Sequence, residues 1–347
     1  MKSNIKGESL VSKGIGLYTI GKFKEAISLY KKAIPFLNFN DKGLVYYNIG
    51  LCYFSMMDYE NSERLFKNSF YDFGNKMSGY ELSMSYLFNG KLELGLKSYK
   101  FRYFGSRNSF PPLNIKHIDN ISDCLGKKVL VLNEQGFGDE FLFSRCIPKL
   151  SEISTDISYQ SYEEIIDLFK ENFTYPNVNF FSDRILSRDF VNNFDVWIST
   201  GDLFSSYVLE FGQNKFKSIG NIEQRDVKNI GISWEANKLS KNSNKRSIES
   251  DILNFSDKFS IHNLQRGYSL SWAKNYDIKT FSDTYNIIKD LDLVITVDTS
   301  IAHLSGLMNK RTILVYNEYL DWRWKYNFYD TIEIVKISDL SNHKIFG

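Results

Sequence analysis

Cysteine is scarce in this sequence, and its placement excludes two kinds of stabilising cross-link. Cys52, Cys124 and Cys146 are an odd, scattered set without a C-x-x-C pair. That spacing argues against a disulfide framework and against a structural zinc site. Because free thiols suit a reducing compartment, we expect a cytoplasmic protein.

Long apolar runs are also missing. No stretch approaches the ~18 apolar residues of a membrane-spanning helix, and the polar N-terminus lacks the apolar core of a signal peptide. We therefore expect no transmembrane segment. The G-x-G-x-x-G dinucleotide fingerprint, the G-x-x-x-x-G-K-[ST] phosphate loop and the G-x-S-x-G nucleophile turn are absent as well, which argues against the enzyme classes that carry them.

The net charge of the chain is small, but it is unevenly distributed. The 347 residues carry +2 in total, with +7 in residues 1–108 and −5 in the remainder. A basic first part could attract an acidic partner or a polyanion. A solvated, lysine-rich helix surface explains the same charges, and we favour it. We expect no nucleic-acid partner.

Residues 1–108 contain a degenerate repeat with the pattern of helical hairpins. The small residues that recur on the two helices of each hairpin are Gly14 and Ala26, Gly50 and Ser62, and Ser83 and Gly95. The successive offsets are 36 and 33 residues, close to the ~34-residue tetratricopeptide period. Small residues let two helices approach closely. We therefore predict an α-solenoid of about three stacked hairpins; a plain helical bundle is the alternative.

After residue 127 the pattern changes to short apolar strands that alternate with helical segments. The predicted strands are 129–132, 195–198, 229–234, 259–264, 293–297 and 312–316. Such alternation implies parallel sheets covered by helices. A polar stretch separates two α/β lobes. The predicted domains are therefore helical repeats in 1–108, a linker in 109–127, a compact first lobe in 128–222 and a second lobe in 223–347.

The first segment with a chemical signature is a Gly-rich turn, Asn133-Glu-Gln-Gly-Phe-Gly-Asp139, between a predicted strand and a predicted helix. Gly136 and Gly138 allow tight turning and close approach of a ligand, and Gln135 belongs to the same cleft loop. Ligands of open α/β sheets bind at the carboxyl ends of strands, where Asp139 follows. Asp139 is either a cleft carboxylate or a helix cap, and these residues alone do not decide between the two.

The second segment is Asp298-Thr299-Ser300, which follows a buried strand and begins a helix. Its hydroxyls and backbone donors form a natural diphosphate cradle, which we favour over simple helix capping. His303 comes one turn later, where it either points at the same site or packs in the core.

Two further segments supply candidate donor-binding residues. Trp234 ends a predicted strand, and Lys245 and Arg246 in the polar stretch after it could neutralise a leaving diphosphate. A solvated basic loop is the default interpretation of those two cations. Gln265 ends the next strand and could bind the edge of a base or a ribose.

These segments, in this order, resemble tetratricopeptide-repeat proteins fused to a GT-B-type glycosyltransferase domain. The resemblance is to the ADP-heptose transferase group (glycosyltransferase family 9) and, more distantly, to protein O-linked N-acetylglucosamine transferases. The matching text is Glu134-Gln-Gly-Phe-Gly-Asp139, Gly231-Ile-Ser-Trp234, Arg246-Ser-Ile248, Leu264-Gln265, Asp292–His303 and Asp321-Trp-Arg-Trp324. It covers most of the chain and is most specific in the Glu134–Asp139 and Asp292–His303 segments.

The resemblance implies two Rossmann-like lobes facing a cleft and a metal-independent, inverting transfer from a nucleotide-sugar to a glycan or protein hydroxyl. Asp139 takes the role of the base, and Thr299 and Ser300 bind the donor diphosphate. No metal and no cofactor other than the co-substrate is implied, and the repeats would recognise the acceptor or a partner. The alternative is a catalytically inactive scaffold in which the helical repeats are the working part and the transferase-like lobes are a remnant.

Overall fold

The computed structural model describes residues 2–104, 110, 112–216, 218–220, 226–238 and 243–345, without the side chains of residues 2–4 and 214. The chain forms two compact units, Met1–Pro111 and Pro112–Gly347. The lobe boundary predicted at residues 222 and 223 lies outside the described residues. So do residues 105–108 at the end of the predicted repeats and residues 109 and 111 at the start of the predicted linker. None of the described helices combines the length and apolarity that crossing a bilayer requires.

The described part of the first unit consists of α-helices in consecutive pairs. They are α1 (Lys2–Thr19), α2 (Phe23–Ala33), α3 (Phe39–Ser55), α4 (Tyr59–Lys67), α5 (Ser78–Phe88) and α6 (Leu92–Ser98). A π-helical turn, Asn68–Asp72, continues α4. Each helix packs on the next along the chain, including α2 on α3 and α4 on α5. The hairpins are therefore joined in series, whereas their tetratricopeptide identity stays a prediction.

Small residues bring the two helices of the first two pairs together. A Cβ added at Gly14 would come 2.5 Å from Cε1 of Tyr30. A Cβ added at Gly50 would likewise come 2.6 Å from Cε1 of Phe66. Both rings are almost fully buried, so each glycine supplies the space that a large aromatic side chain occupies.

A buried carboxylate ties the second hairpin to the third. Glu63 on α4 accepts hydrogen bonds from Asn89 at 2.7 Å and from Lys91 at 2.8 Å, and Lys67 on its own helix adds a third at 2.7 Å. Burial alone would raise the pKa of Glu63, but these hydrogen bonds outweigh it and hold the pKa below its usual value. The ionised side chain therefore stabilises the contact between neighbouring hairpins.

The second unit contains two sheets of parallel strands. The first sheet contains β1 (Lys116–His117), β2 (Lys128–Leu132), β3 (Asp156–Gln160), β4 (Val178–Phe181) and β5 (Val196–Ser199), in the spatial order β1-β5-β2-β3-β4. The second sheet contains β6 (Asn229–Ser233), β7 (Ser260–Asn263), β8 (Leu293–Thr296), β9 (Thr312–Tyr316) and β10 (Ile332–Lys336), in the order β10-β9-β8-β6-β7. The predicted class of parallel α/β sheets is confirmed.

Helices alternate with these strands, as parallel connections require. They are α7 (Phe137–Phe143), α8 (Ile147–Ile153), α9 (Glu163–Asn172), α10 (Arg188–Val191), α11 (Thr200–Phe211), α12 (Ser243–Arg246), α13 (Phe281–Lys289) and α14 (Ser300–Leu307). The six predicted strands correspond to β2 and β5–β9. Residues 112–127, assigned to the linker from the sequence, contribute β1 and a 3-10 helix in which Ile121 and Cys124 are fully buried.

The strand order places the candidate site. The chain leaves β2 toward β3 and β4, then returns to form β5 on the other side of β2. In the second sheet it leaves β6 toward β7, then returns to form β8 on the other side of β6. Ligands of open α/β sheets bind outside the carboxyl ends of strands at such a switch point. The turns after β2, β6 and β8 therefore occupy the positions where a ligand is expected.

Candidate functional site

A cleft of ≈ 740 Å³ is lined by the turns that follow β2, β6 and β8. Both sheets contribute to it. The predicted site residues that line this cleft are Gly136, Gly138, Asp139, Arg246, Gln265, Asp298, Thr299, Ser300 and His303. Gln135, Trp234 and Lys245 are not among its lining residues. The roles assigned to all of these residues stay predictions.

The Gly-rich turn after β2 is held in an unusual backbone conformation. Gln135 has φ 68°, in the left-handed region that non-glycine residues rarely adopt. The hydroxyl of Tyr162 donates a hydrogen bond to the Gln135 carbonyl and fixes the turn. Gly138 leaves room for His303, because a Cβ at Gly138 would lie 2.8 Å from Cδ2 of that ring. This close approach brings the start of α7 against α14 of the second sheet.

Asp139 is both a cap and a partner in an ion pair across the cleft. Its Oδ2 accepts a hydrogen bond of 3.3 Å from the Gly136 backbone N–H at the start of α7. Its Oδ1 pairs with Nη2 of Arg323. Burial raises the pKa of the Asp139 carboxyl and Arg323 counteracts that rise, while the nearby Asp321 adds to it. Asp139 therefore both bonds to the first turn of α7 and lines the cleft, while its catalytic role stays a prediction.

Arg323 was not among the residues singled out from the sequence. It lies in a 3-10 helix, Trp322–Lys325, that Asp321 caps. Nη1 of Arg323 donates to Oδ1 of Asp321 at 2.8 Å, and Nη2 also donates to Oε1 of Gln135 at 3.2 Å. The signal available was the Asp321-Trp-Arg-Trp324 match, but one sequence does not show which of its residues reaches the Gly-rich turn.

The turn after β8 begins α14. The Thr299 hydroxyl accepts a hydrogen bond of 3.3 Å from the Ile301 N–H and is also 3.2 Å from the Thr296 hydroxyl. Thr299 is therefore the cap of this helix. Ser300 is its first residue and lines the cleft. At the start of a helix the N–H groups lack intrahelical partners and attract anions. The binding of a diphosphate beside Ser300 stays a prediction.

A second acid–base pair lies beside this helix tip. Nη1 of Arg246 is 3.3 Å from Oδ2 of Asp298 and donates to the Asp298 carbonyl at 3.2 Å. Burial raises the pKa of the Asp298 carboxyl, and Arg246 counteracts the effect. Arg246 is thus fixed at the cleft wall by β8. Its neighbour Lys245 lies in the same short helix α12, outside the cleft lining.

His303 is a packed, neutral side chain. It is 4 % exposed, stacks on Trp324 with ring centroids 4.4 Å apart, and its Nδ1 is 3.0 Å from the Tyr329 hydroxyl. Burial and the nearby arginines, Arg323 first among them, lower its pKa well below the ordinary histidine value. The structure gives His303 both of the positions that the sequence left open, since it packs in the core and lines the cleft.

Gln265 organises the turn after β6. Its Oε1 accepts hydrogen bonds from the Ser233 hydroxyl at 2.9 Å and from the Glu235 N–H at 3.1 Å. The side chain therefore fixes the cleft wall besides lining it. Trp234 is 7 % exposed and belongs to the core of the second sheet, where it meets Tyr268 edge-on. The structure places Trp234 behind the cleft wall.

A buried carboxyl next to Asp139 was also missed. Glu140 is fully buried and accepts hydrogen bonds from the Ser161 hydroxyl at 2.5 Å and from the Asn133 amide at 3.1 Å. Burial raises its pKa to about 7. It connects the Gly-rich turn to β3 from below the cleft.

Within the described residues, no group of three His, Cys, Asp or Glu side chains is arranged to hold a metal ion.

No family model and no curated protein matches the sequence. Solved structures similar to this chain include the E. coli ADP-heptose LPS heptosyltransferase II, at 10% identity and TM-score 0.44, over 60% of this chain and 90% of that one. The iron-containing dodecameric glycosyltransferase TibC of enterotoxigenic E. coli matches at 11% identity and TM-score 0.45, over 60% and 63%. E. coli heptosyltransferase WaaC with ADP-2-deoxy-2-fluoro heptose matches at 9% identity and TM-score 0.41, over 60% of this chain and 92% of that one.

Proposed function

We propose that this chain is a metal-independent, inverting glycosyltransferase of the GT-B type. It would move a sugar from a nucleotide-sugar to a hydroxyl of a glycan or a protein. The observation that carries the proposal is the shared cleft: Asp139 from the first sheet and the Ser300 end of α14 from the second line the same space. A carboxylate and an anion-binding helix start are the two groups that such a transfer needs.

In this proposal each side of the cleft has one task. The donor diphosphate would bind at Thr299 and Ser300, where the helix start and Arg246 stabilise the charge that develops as it leaves. Asp139 would accept the proton of the acceptor hydroxyl as the new bond forms. The sugar carbon would pass through an oxocarbenium-like state between them. The helical repeats of the first unit would select the acceptor or a partner.

Donor binding is tested by a thermal-shift screen with UDP-, GDP-, CMP- and ADP-sugars. A donor at 100 times its dissociation constant adds about 2.7 kcal/mol to the stability of the folded protein. At about 2–4 °C per kcal/mol for a domain of this size, the melting temperature should rise by roughly 5–10 °C. We expect one nucleotide class to give such a shift.

The base role is tested by Asp139→Asn, with Glu164→Gln as the matched control. Glu164 is an exposed carboxylate on the same cleft, so its replacement removes a similar charge without touching the reacting atoms. A general base contributes about 10²–10⁴ in rate. We expect Asp139→Asn to reduce turnover at least 100-fold while the donor-induced shift remains. Full turnover in Asp139→Asn would remove it from this role.

The scaffold alternative has two observations in its favour. Asp139 is engaged by Arg323, and the Thr299 hydroxyl caps its own helix. In a scaffold these groups would only hold the two sheets together, and the first unit would bind the partner. No shift with any of the four donor classes would favour that function.

A further inference from the structure

We propose that Arg323 is a positioning residue for the proposed reaction: anchored by Asp321, its guanidinium orients the Asp139 carboxylate in the cleft and favours its charged form. This inference rests on the proposed function for its catalytic meaning. The ion pair itself is a property of the protein that can be measured without any reaction. Four contacts of the described residues carry the argument.

The first two contacts anchor the arginine on its own side. Oδ1 of Asp321 accepts both from Nη1 of Arg323 at 2.8 Å and from the Arg323 backbone N–H at 3.0 Å. The Arg323 side chain is 14% exposed, so little water competes for these hydrogen bonds. The planar guanidinium is thereby held with its other edge toward the first sheet, which a flexible ammonium could not reproduce.

The other two contacts join this edge to the Gly-rich turn. Nη2 of Arg323 donates to Oδ1 of Asp139 and, at 3.2 Å, to Oε1 of Gln135. Gln135 reaches that position with a left-handed backbone, φ 68°, which costs of order 1 kcal/mol or more for a residue other than glycine. The Tyr162 hydroxyl holds its carbonyl in place. The turn is thus held in a strained conformation that presents two acceptors to one guanidinium.

The contacts leave Asp139 oriented for a proton transfer. Oδ1 is taken by Arg323, and among the residues that the structure describes Oδ2 accepts a single hydrogen bond, of 3.3 Å, from Gly136. A carboxylate oxygen accepts more than one hydrogen bond, so Oδ2 keeps capacity for an acceptor hydroxyl. In the transfer, the hydroxyl oxygen would form the bond to the sugar carbon, its proton would go to Oδ2, and the bond to the diphosphate oxygen would break. Arg323 touches none of these atoms.

The electrostatics require a cation at this place. Burial raises the pKa of Asp139, and the Asp321 carboxylate adds to it. Arg323 opposes both, and a cation at this range lowers the pKa of a carboxyl by about 1–3 units. Tyr162 and Tyr329 also interact with Asp139, and neither carries a positive charge. Arg246 and Arg145 lie close enough to lower the pKa of the neighbouring His303, but the cation that pairs with Asp139 is Arg323. Even with Arg323 the pKa of Asp139 stays above the ordinary aspartate value. Without Arg323 the pKa would rise further, so a smaller fraction of the carboxyl would be free to accept a proton at a given pH.

The test uses Arg323→Met and Arg323→Lys, with Arg266→Met as the control for loss of a cation from the cleft. Arg266 lines the cleft and is exposed. The full chain is labelled with ¹³C at aspartate carboxyls, and the Asp139 signal is identified by its loss in Asp139→Asn. We expect the Asp139 titration midpoint to rise by at least about one pH unit in Arg323→Met. The Asp139 midpoint should rise less in Arg323→Lys, and in Arg266→Met it should equal that of the parent protein.

A second readout depends on turnover. The acidic limb of the kcat/KM profile should move to higher pH by the same amount in Arg323→Met, while its alkaline limb stays. An unchanged or lower Asp139 midpoint in both Arg323 variants would overturn the inference; if Arg323→Met does not fold, Arg323→Lys decides alone. A parent protein without transferase activity would refute the proposed function instead, while the carboxyl titration still decides the role of the ion pair.

Discussion

At the scale of single residues, the close approach of α7 and α14 at the cleft depends on Gly138, which has no side chain. Gly138 on α7 faces the ring of His303 on α14, and an added Cβ would lie 2.8 Å from Cδ2 of that ring. Real Cβ atoms do not approach a ring carbon so closely, and His303 is fixed by Trp324 and Tyr329. The ring therefore cannot move away from an added Cβ without disturbing these two contacts.

We expect Gly138→Ala to destabilise the second unit although alanine is the better helix former. The helix gain is at most about 1 kcal/mol, while overpacking costs about 1–3 kcal/mol and would also push α14 away from the cleft. Urea unfolding should show a net loss, and the donor-induced thermal shift should shrink.

The matched control is Gly136→Ala, two residues earlier in the same turn. A Cβ at Gly136 meets nothing nearer than Asp139 Oδ2 at 3.9 Å, and its φ of −100° suits any residue. We expect it to cost under about 1 kcal/mol. If the two variants lose equal stability, the contact with His303 does not limit the packing here.

The sequence could predict Asp139, Thr299 and Ser300 because each belongs to a local strand–turn–helix pattern. It could not predict Arg323, since the contact between Arg323 and Asp139 joins residues 184 positions apart. No local pattern carries that information. Trp234 illustrates the opposite limit: a tryptophan at the end of a strand suits a cleft or a core equally well.

At the scale of elements, most of the strands that were predicted are apolar, and the mostly polar β7 is the exception. β2, β6, β8 and β9 are short runs of apolar residues, and both sheets bury them on two faces. β3 alternates apolar residues with Ser158 and Gln160, and β10 is exposed along most of its length. Such strands do not carry the apolar signature of a central parallel strand, so their pairing is decided by tertiary packing.

The helical hairpins offer a sharper test within one element. Gly14 and Gly16 both lie inside α1, where a glycine costs about 1 kcal/mol relative to alanine. A Cβ at Gly14 would come 2.5 Å from Tyr30, whereas one at Gly16 would meet nothing within 4 Å. We expect Gly16→Ala to stabilise the first unit by up to about 1 kcal/mol, and Gly14→Ala to destabilise it by about 1–3 kcal/mol.

Hydrogen exchange of the α1 and α2 amides measures both effects locally. Protection should increase in Gly16→Ala and decrease in Gly14→Ala. Equal changes of the same sign would mean that the hairpin is not held by the close contact of Gly14 with Tyr30. That result would also weaken the repeat interpretation, which depends on small residues at this position.

At the scale of the whole molecule, the chain divides into Met1–Pro111 and Pro112–Gly347. The second unit has its own core, which includes Ile230, Leu293 and Ile295 of the second sheet and Val129 and Leu130 of the first, all fully buried. The net charge is +7 in residues 1–108 and −5 in the remainder of the chain. All of the described residues that line the cleft belong to the second unit. In the proposed function, donor binding and acceptor selection would therefore be separable by cutting the chain.

We expect a chain of residues 112–347 to fold alone and to keep the full donor-induced rise in melting temperature, since it contains every cleft residue. Its kcat/KM for a small acceptor should stay within about 2-fold of the value for the whole chain. For a macromolecular acceptor its kcat/KM should fall by about 10-fold or more, because a loss of about 1.4 kcal/mol in binding is a factor of ten. Steady-state assays with both acceptors measure the difference. Equal losses with the two acceptors would mean that the repeats support the catalytic unit instead of selecting its substrate.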